Sequence, residues 1–409
     1  MKDFSKALSP KLLNIEQKNR SNIFAWRGQF SPQLVECLLD AYCPAGSVVL
    51  DPFAGSGTVL YEAALMSLPA YGFEINPSAW SFSKIYEFSN IQRDRRANVL
   101  TELRRRIQHE FPIVIFSDAP LSADVVEDKV VRIGNSISDE AKILCNALVV
   151  LLDLYHNRIT NDFVQSRFAA LAELVERLPY SNQTIKVDLQ DARSLPLEDE
   201  SVDFAITSPP YINVFNYHQN YRRSVEVLGW DLLRVARSEI GSNRANRGNR
   251  FYTVIQYCID MTMAIQELAR VLKPEGRAVL IVGHESRVLG TPFYNADIVQ
   301  RLATDPGLFR VALRQERVFT NRFGQAIREG VLNLVRGTPL RDATIPERVG
   351  RSVARDTLGA ANASVPQKNK ELLSDAIHRV GEIEGTPIFN GISYTEYHTR
   401  DYVMMVKED

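Results

Sequence analysis

A short strand that runs into a glycine turn and then directly into a helix constrains this chain more than any other feature. SVVLDPF (47–53) is a short run rich in Val and Leu, as strands are. AGSGT follows at 54–58, a helix is expected over 58–66, and AYGFEI (70–75) reads as the next strand. One strand–helix–strand unit of this length predicts a parallel α/β sheet. In the turn, glycines let the backbone fold tightly and leave room for a ligand against the chain. The helix start beyond them offers unpaired N–H groups. The pattern is not a dinucleotide fingerprint, because the third glycine of GxGxxG is missing. Nor is it a phosphate loop, because Thr58 stands where a lysine is needed.

The other strands of such a sheet lie far along the chain. TIKVDLQ (184–190), SVDFAIT (201–207) and RAVLIVG (277–283) read as strands, and FRVALRQERVF with EGVLNLVRG as a closing antiparallel pair. Helical spacing marks 32–42 and 252–272, the latter ended by the turn KPEG. Between the second and third strands, residues 80–182 are mostly helical and read as an insertion into the α/β domain. Its cluster of arginines at 93–106 reads as a solvated helix face. The expected organisation is a discontinuous α/β domain over 1–79 and 183–339, the insertion at 80–182, and a C-terminal segment at 340–409. No regular structure is expected over 340–385, with some order at NGISYTEYHTRDYVMMV.

Composition narrows the class. A chain of 409 residues with 45% hydrophobic and 24% charged residues suits two or three globular units rather than a disordered chain. The longest apolar run, 147–152, is far short of the roughly 20 residues that cross a bilayer. The polar N-terminus reads as no secretory signal. Cys37, Cys43, Cys145 and Cys258 form no CxxC pair, so neither a metal centre nor a disulfide scaffold is expected. A cytoplasmic protein fits these features. The net charge is −1, so contact with a nucleic acid has to come from local basic patches.

Three further places carry chemistry. Glu74 ends the second strand, where an acidic residue accepts hydrogen bonds from ribose hydroxyls in nucleotide-binding sheets. Asp191, followed by Ala192, closes the third strand, where a carboxylate could meet an adenine amino group or cap a turn. Ser208-Pro209-Pro210-Tyr211 directly follows SVDFAIT. Neither proline can donate to a ladder, so the pair ends the strand and stiffens a loop at the ligand-binding edge. That loop aims a hydroxyl and a carbonyl at one place beside an aromatic ring, an arrangement suited to a planar amine.

Together DPFAGSGT, EINP, DAR and SPPY resemble the S-adenosylmethionine-dependent amino-methyltransferases of DNA, the family of cytosine-N4 and adenine-N6 enzymes. GQFSPQLVECLL, LKPEGRAVLIVG and REGVLNLVRG extend the resemblance over about 1–79 and 183–337. It implies a Rossmann-like methyltransferase with a mostly parallel seven-stranded sheet plus a helical insertion. It implies S-adenosylmethionine as cofactor, with Phe53, Gly55 and Gly57 on the methionine part beside Asp51 and Thr58. Glu74 would then lie on the ribose, and Asp191 with Ala192 on the adenine. Ser31 and Pro32 fall in the segment that covers the cofactor, and a side chain at position 57 is expected to block the site. Ser208 to Tyr211 would be the catalytic loop.

SPPY is the form associated with cytosine N4. Adenine N6, an RNA base, or a catalytically dead binding module are the alternatives. Double-stranded DNA is the implied partner, with a cognate restriction endonuclease as a further one. Arg244, Arg247 and Arg250, in the Gly/Asn-rich stretch 237–250, are the candidate phosphate contacts. The resemblance has two departures. The cofactor motif precedes the catalytic motif, the reverse of many SPPY enzymes, and compact members have no counterpart of the helical insertion.

Overall fold

The computed structural model describes residues 2–17, 19–20, 24, 26, 29–113, 119–212, 219–242, 248–321, 324–338 and 344–390. The chain begins with one helical turn, Pro10–Asn14 (α1), and the helix Pro32–Tyr42 (α2). In α2, Leu34, Val35, Leu38, Leu39 and Tyr42 form one buried stripe at helical spacing. Strand Val49–Asp51 (β1), helix Thr58–Leu65 (α3) and strand Ala70–Glu74 (β2) then form the expected unit. β1 and β2 pair in parallel from Val49 and Ala70.

The connection from β2 to the third strand is long and helical. Pro77–Ser83 (α4) starts with Asn76 as its cap, whose side chain accepts the Ser78 N–H at 2.9 Å. Helices Arg93–Glu110 (α5), Ala123–Gly134 (α6), Asp139–Leu152 (α7) and Asn161–Arg177 (α8) follow, and strand Ile185–Leu189 (β3) ends the excursion. Ser122, Ser138 and Thr160 cap α6, α7 and α8. The apolar run in α7 is buried at Leu144, Leu148 and Val150, as its lack of a polar face requires. Arg96 departs from the solvated face read from the sequence. It is buried and donates to the carbonyls of Ile91, Leu178 and Pro179, tying the start of α5 to the end of α8.

Strand Val202–Thr207 (β4) leads through the short helices Arg222–Val227 (α9) and Leu232–Ser238 (α10) to the long helix Tyr252–Val271 (α11). Strand Leu272–Gly283 (β5) follows with no break. The sequence KPEG, read as a turn, lies inside β5. There the β4–β5 register slips between Val202 and Phe204, and Glu275 takes a positive φ of 58°. The extra residues form a bulge instead of ending the strand. After a small hairpin, Glu285–Val288 (β6) with Thr291–Tyr294 (β7), come Asn295–Thr304 (α12) and the pair Phe309–Thr320 (β8) and Ala326–Arg336 (β9).

The seven strands are ordered β3-β2-β1-β4-β5-β9-β8, and β9 alone runs antiparallel to its neighbours. Val279 and Ile281 of β5 face the N-terminal segment and the crossover helices. Ala278, Leu280 and Val282 face α11, α12 and the C-terminal helices. Both faces are therefore covered, as a parallel sheet needs.

Residues 340–385 correct the sequence reading, because they hold two helices, Ile345–Ala360 (α13) and Lys370–His378 (α14). Val353, Ala354 and Leu358 sit in the core shared with α11. The order expected at NGISYTEYHTRDYVMMV falls, beyond Asn390, outside the described residues. No helix among the described residues is long and apolar enough to cross a membrane.

α13 crosses α11 closely at Gly350. A Cβ there would lie 2.7 Å from the Cα of Ile259 and 2.8 Å from the carbonyl oxygen of Cys258. Gly350→Val is expected to push the helices apart and cost roughly 1–3 kcal/mol. A lower urea midpoint at unchanged m-value would register it.

Candidate active site

The strand order reverses direction between β1 and β4, and the loops that follow these two strands meet at their carboxyl ends. One side chain ties the two ends together. Asp51 closes β1, and its Oδ1 accepts the hydroxyl of Thr207, the last residue of β4, at 2.5 Å and the Phe53 N–H at 3.1 Å. Burial pushes the Asp51 carboxyl up to about 7, against the pull of these two donors.

The glycine turn is held from the neighbouring strand. Ala54 N–H donates to the Phe73 carbonyl, and Gly55 N–H donates to Glu74 Oε2 at 2.8 Å. The other carboxylate oxygen of Glu74 accepts the Asn76 N–H at 2.8 Å. Burial also raises Glu74 to about 7. Gly55 and Gly57 take positive φ, 52° and 88°. Gly57 has a different reason to be glycine from the one expected. Its missing Cβ would meet the Tyr86 ring at 2.6 Å and the Ser83 Cα at 2.9 Å, so a side chain there collides with the packing behind the loop.

Phe53, partly buried, and Thr58, the first residue of α3, flank the turn. Over Gly55 lies the Trp26 ring, 3.8 Å from where a Cβ would be, and Gln29 Oε1 accepts the Ser56 hydroxyl at 2.9 Å. The sequence reading missed Trp26 and Gln29, because no spacing rule connects them to the turn. Pro32 opens α2, and Ser31 before it caps no N–H with its side chain. Ser31 Oγ and Asn76 Nδ2 are both buried and have no hydrogen-bond partner among the described residues.

The SPPY loop is fixed from two sides. Tyr257 of α11 donates its hydroxyl to the Pro210 carbonyl at 3.0 Å, and Ile212 N–H donates to Asn295 Oδ1 at 3.2 Å. Asn295 is itself held by its bond to Ser286. Ser208 Oγ lies 3.3 Å from the Tyr211 hydroxyl. The Tyr211 ring lies against Gly283, where a Cβ would be 2.6 Å from it. Among the described residues no hydrogen bond is made to the Pro209 carbonyl.

Asp191 behaves differently from the expected adenine contact. Its Oδ1 accepts from the N–H and Nε of Arg193, and its Oδ2 from Arg193 Nη2 at 2.6 Å and Phe389 N–H at 3.0 Å. A carboxylate has about four lone-pair sites, and these bonds fill them. Asp191 thus braces the turn that carries Ala192, at the edge where Gln190 N–H meets the Glu74 carbonyl. Arg193 also binds Asp260, the hydroxyl and carbonyl of Thr386 and the carbonyl of Pro387, so residues 386–389 are strapped across this edge. Of the candidate phosphate contacts, Arg250 is exposed just before α11, and Arg244 and Arg247 lie outside the described residues.

Residues 2–85 match the family described as DNA methylase. Over this segment the chain is similar to N6/N4-type DNA methylases. It is similar to the type II methyltransferase M.MjaII of Methanocaldococcus jannaschii, 38% identical over 60 residues, which cover 15% of this chain and 11% of that protein. It is also similar to the type II methyltransferase M.BsoBI of Geobacillus stearothermophilus, 22% identical over 282 residues, with 54% of this chain and 55% of that protein covered. The chain thus spans about half or less of the length of these relatives. Among solved structures, a S-adenosylmethionine-dependent methyltransferase of Methanosarcina mazei aligns over 73% of this chain and 96% of its own, at 13% identity and a TM-score of 0.33.

The cofactor of this family, S-adenosylmethionine, fits the residues present. The glycine turn lies beneath the Trp26 ring, an acid stands at the end of β2, and two buried polar atoms, Ser31 Oγ and Asn76 Nδ2, have no partner among the described residues.

A cationic ligand with ribose hydroxyls favours ionised carboxylates, and both acids here ionise near pH 7. Below that pH they are protonated and the ligand loses its partners. Cofactor affinity is expected to weaken as pH falls from 8 to 6, by up to about tenfold per unit for each group. Glu74→Gln should flatten the profile, and calorimetric titration at the two pH values checks both statements.

Proposed function

We propose that this chain methylates the exocyclic amino group of a base in double-stranded DNA, with cytosine N4 as the acceptor. The observation that carries this reading is the selective restraint of the SPPY loop. Tyr257 occupies the Pro210 carbonyl and Asn295 the Ile212 N–H, while among the described residues the Pro209 carbonyl accepts no hydrogen bond and Ser208 Oγ meets only the Tyr211 hydroxyl. An exocyclic amine is a weak nucleophile because its lone pair is conjugated with the ring. Two acceptors that pull on its two N–H bonds favour a pyramidal nitrogen with a localised lone pair. Ser208 and Pro209 do this work by position and electrostatics. Tyr211 offers the stacking face for a base turned out of the duplex.

S-adenosylmethionine supplies the electrophilic methyl group. The glycine turn from Phe53 to Thr58, Asp51, Glu74 and the segment with Ser31 and Pro32 would hold it, and the turn with Ala192 would border its adenine. The cysteines support a route without a covalent enzyme–base bond. Burial pushes the Cys43 thiol up to about 11 and that of Cys145 up to about 12, and raises Cys37 and Cys258 too. None supplies a thiolate at neutral pH. Arg250, with Arg244 and Arg247, would meet phosphates. A restriction endonuclease of the same specificity and a cytoplasmic location accord with this function.

Mass spectrometry of digested DNA from cells expressing the protein should detect N4-methylcytosine. N6-methyladenine would replace only the base assignment. 5-Methylcytosine would overturn the mechanism, and methyl transfer to RNA alone would move the substrate class. Ser208→Ala should lower kcat by roughly 10- to 100-fold, the worth of one hydrogen bond strengthened in the transition state, and leave cofactor affinity unchanged.

A further inference from the structure

The strand pair β8–β9 carries an ion pair, its arginine buried and its glutamate partly so, that the proposed reaction does not yet use. Three strands stand side by side at the level of the SPPY loop. Gly283 of β5 is opposite Glu329 of β9, and Glu329 is opposite Arg317 of β8. Side chains paired across adjacent strands share a face of the sheet. The vacant side of Gly283 is where the Tyr211 ring lies, so Tyr211, Glu329 and Arg317 share that face. With neighbouring strands about 4.8 Å apart, the three positions span roughly 10 Å of sheet edge.

Arg317 is unusual in being buried without a full set of partners. Only 4% of the residue is exposed. Its Nε is 3.6 Å from Glu329, beyond hydrogen-bond distance, and has no hydrogen-bond partner among the described residues. Its guanidinium lies 4.4 Å from the centroid of the Phe319 ring. A guanidinium that served only to hold the fold would be expected to bond carbonyls, as Arg96 does. Arg317 is held by charge and stacking and keeps donor capacity in reserve. Burial lowers its pKa, and its charge interacts with Tyr211 on the site side.

We infer that Arg317 donates to the ring acceptors of the base being methylated, with Glu329 and Phe319 fixing its guanidinium. The inference rests on the reading of this site as a base amino-methyltransferase and adds the residue that recognises the ring. Beside its amino group cytosine carries two acceptors, N3 and O2, in a row. On the matching edge adenine carries one, N1, next to a C–H. A planar fork of N–H donors matches the first pattern. Ser208 and Pro209 would then take the amine, Tyr211 the face of the ring and Arg317 its acceptor edge.

The test compares the unaltered protein, Arg317→Met, Arg317→Lys and the double variant Arg317→Met/Glu329→Gln. The double variant removes both charges and so leaves no unpaired ion in the core. Transfer of a radiolabelled methyl group to unmethylated plasmid DNA is measured, together with cofactor affinity and thermal unfolding. Arg317→Met and the double variant should each lose roughly 10- to 100-fold in kcat/KM for DNA, the worth of a bidentate base contact. Cofactor affinity should hold in both, and Arg317→Lys should recover part of the loss. Recovery of full activity in the double variant would make the pair a structural brace and overturn the inference. So would a loss of cofactor affinity equal to the loss of turnover. An unaltered protein that methylates no DNA overturns the underlying reading and the inference with it. An active one with indifferent variants overturns the inference alone.

Discussion

The hydrogen bond from Thr207 to Asp51 is the contact on which the site depends. It joins the ends of two adjacent parallel strands at the point where the sheet changes direction. The glycine turn hangs from one strand and the SPPY loop from the other, so this bond sets their separation. Its environment is costly, since a buried carboxyl disfavours its charged form. A carboxyl that only held two strands together could be replaced by a neutral amide. One that also faces a ligand site gains from keeping its charge within reach.

The remaining architecture supports these two loops from opposite sides. α11 places Tyr257 under the SPPY loop, and the C-terminal helices clamp α11 through the close contact at Gly350. On the other face, Arg20 pairs with Glu36 of α2 and Glu62 of α3, fastening the N-terminal segment that brings Trp26 and Gln29 over the glycine turn. The long crossover between β2 and β3 packs its α4 and α7 into the same core as Val279 and Ile281 of the sheet. It is an enlarged connection with a shared interior, closed at its base by Arg96.

Much of this was legible in the sequence where local chemistry dictates the outcome. The strand–turn–helix at 49–65, the paired prolines after β4 and the closing strands β8 and β9 each follow from residue type and period. What was not legible came from contacts between distant segments. Gly57 looked like a ligand-facing glycine, and its real constraint is Tyr86, 29 positions away. Asp191 looked like a free strand-edge acid, and its partners include Phe389, 198 positions on. KPEG carries the composition of a turn, but the ladder resumes on its far side and absorbs it as a bulge. The helices at 345–378 were missed because their polar composition hides the narrow stripe of Val353, Ala354 and Leu358 that meets α11. Arg317 and Glu329 have no mutual spacing signal, since only the hairpin register brings them together.

The strap formed by residues 386–389 also bears on the order in which the molecule is assembled during synthesis. Arg193 lies in the middle of the sequence and is buried, yet three of its acceptors, on Thr386 and Pro387, are added almost two hundred residues later. Without the strap the guanidinium keeps Asp191, Asp260 and the Ser238 carbonyl but lacks three acceptors, which favours water at this corner. The β3 edge is sealed only when the strap has emerged and crossed back over it. A chain interrupted before the strap would therefore hold every motif of the site with the β3 edge unsealed.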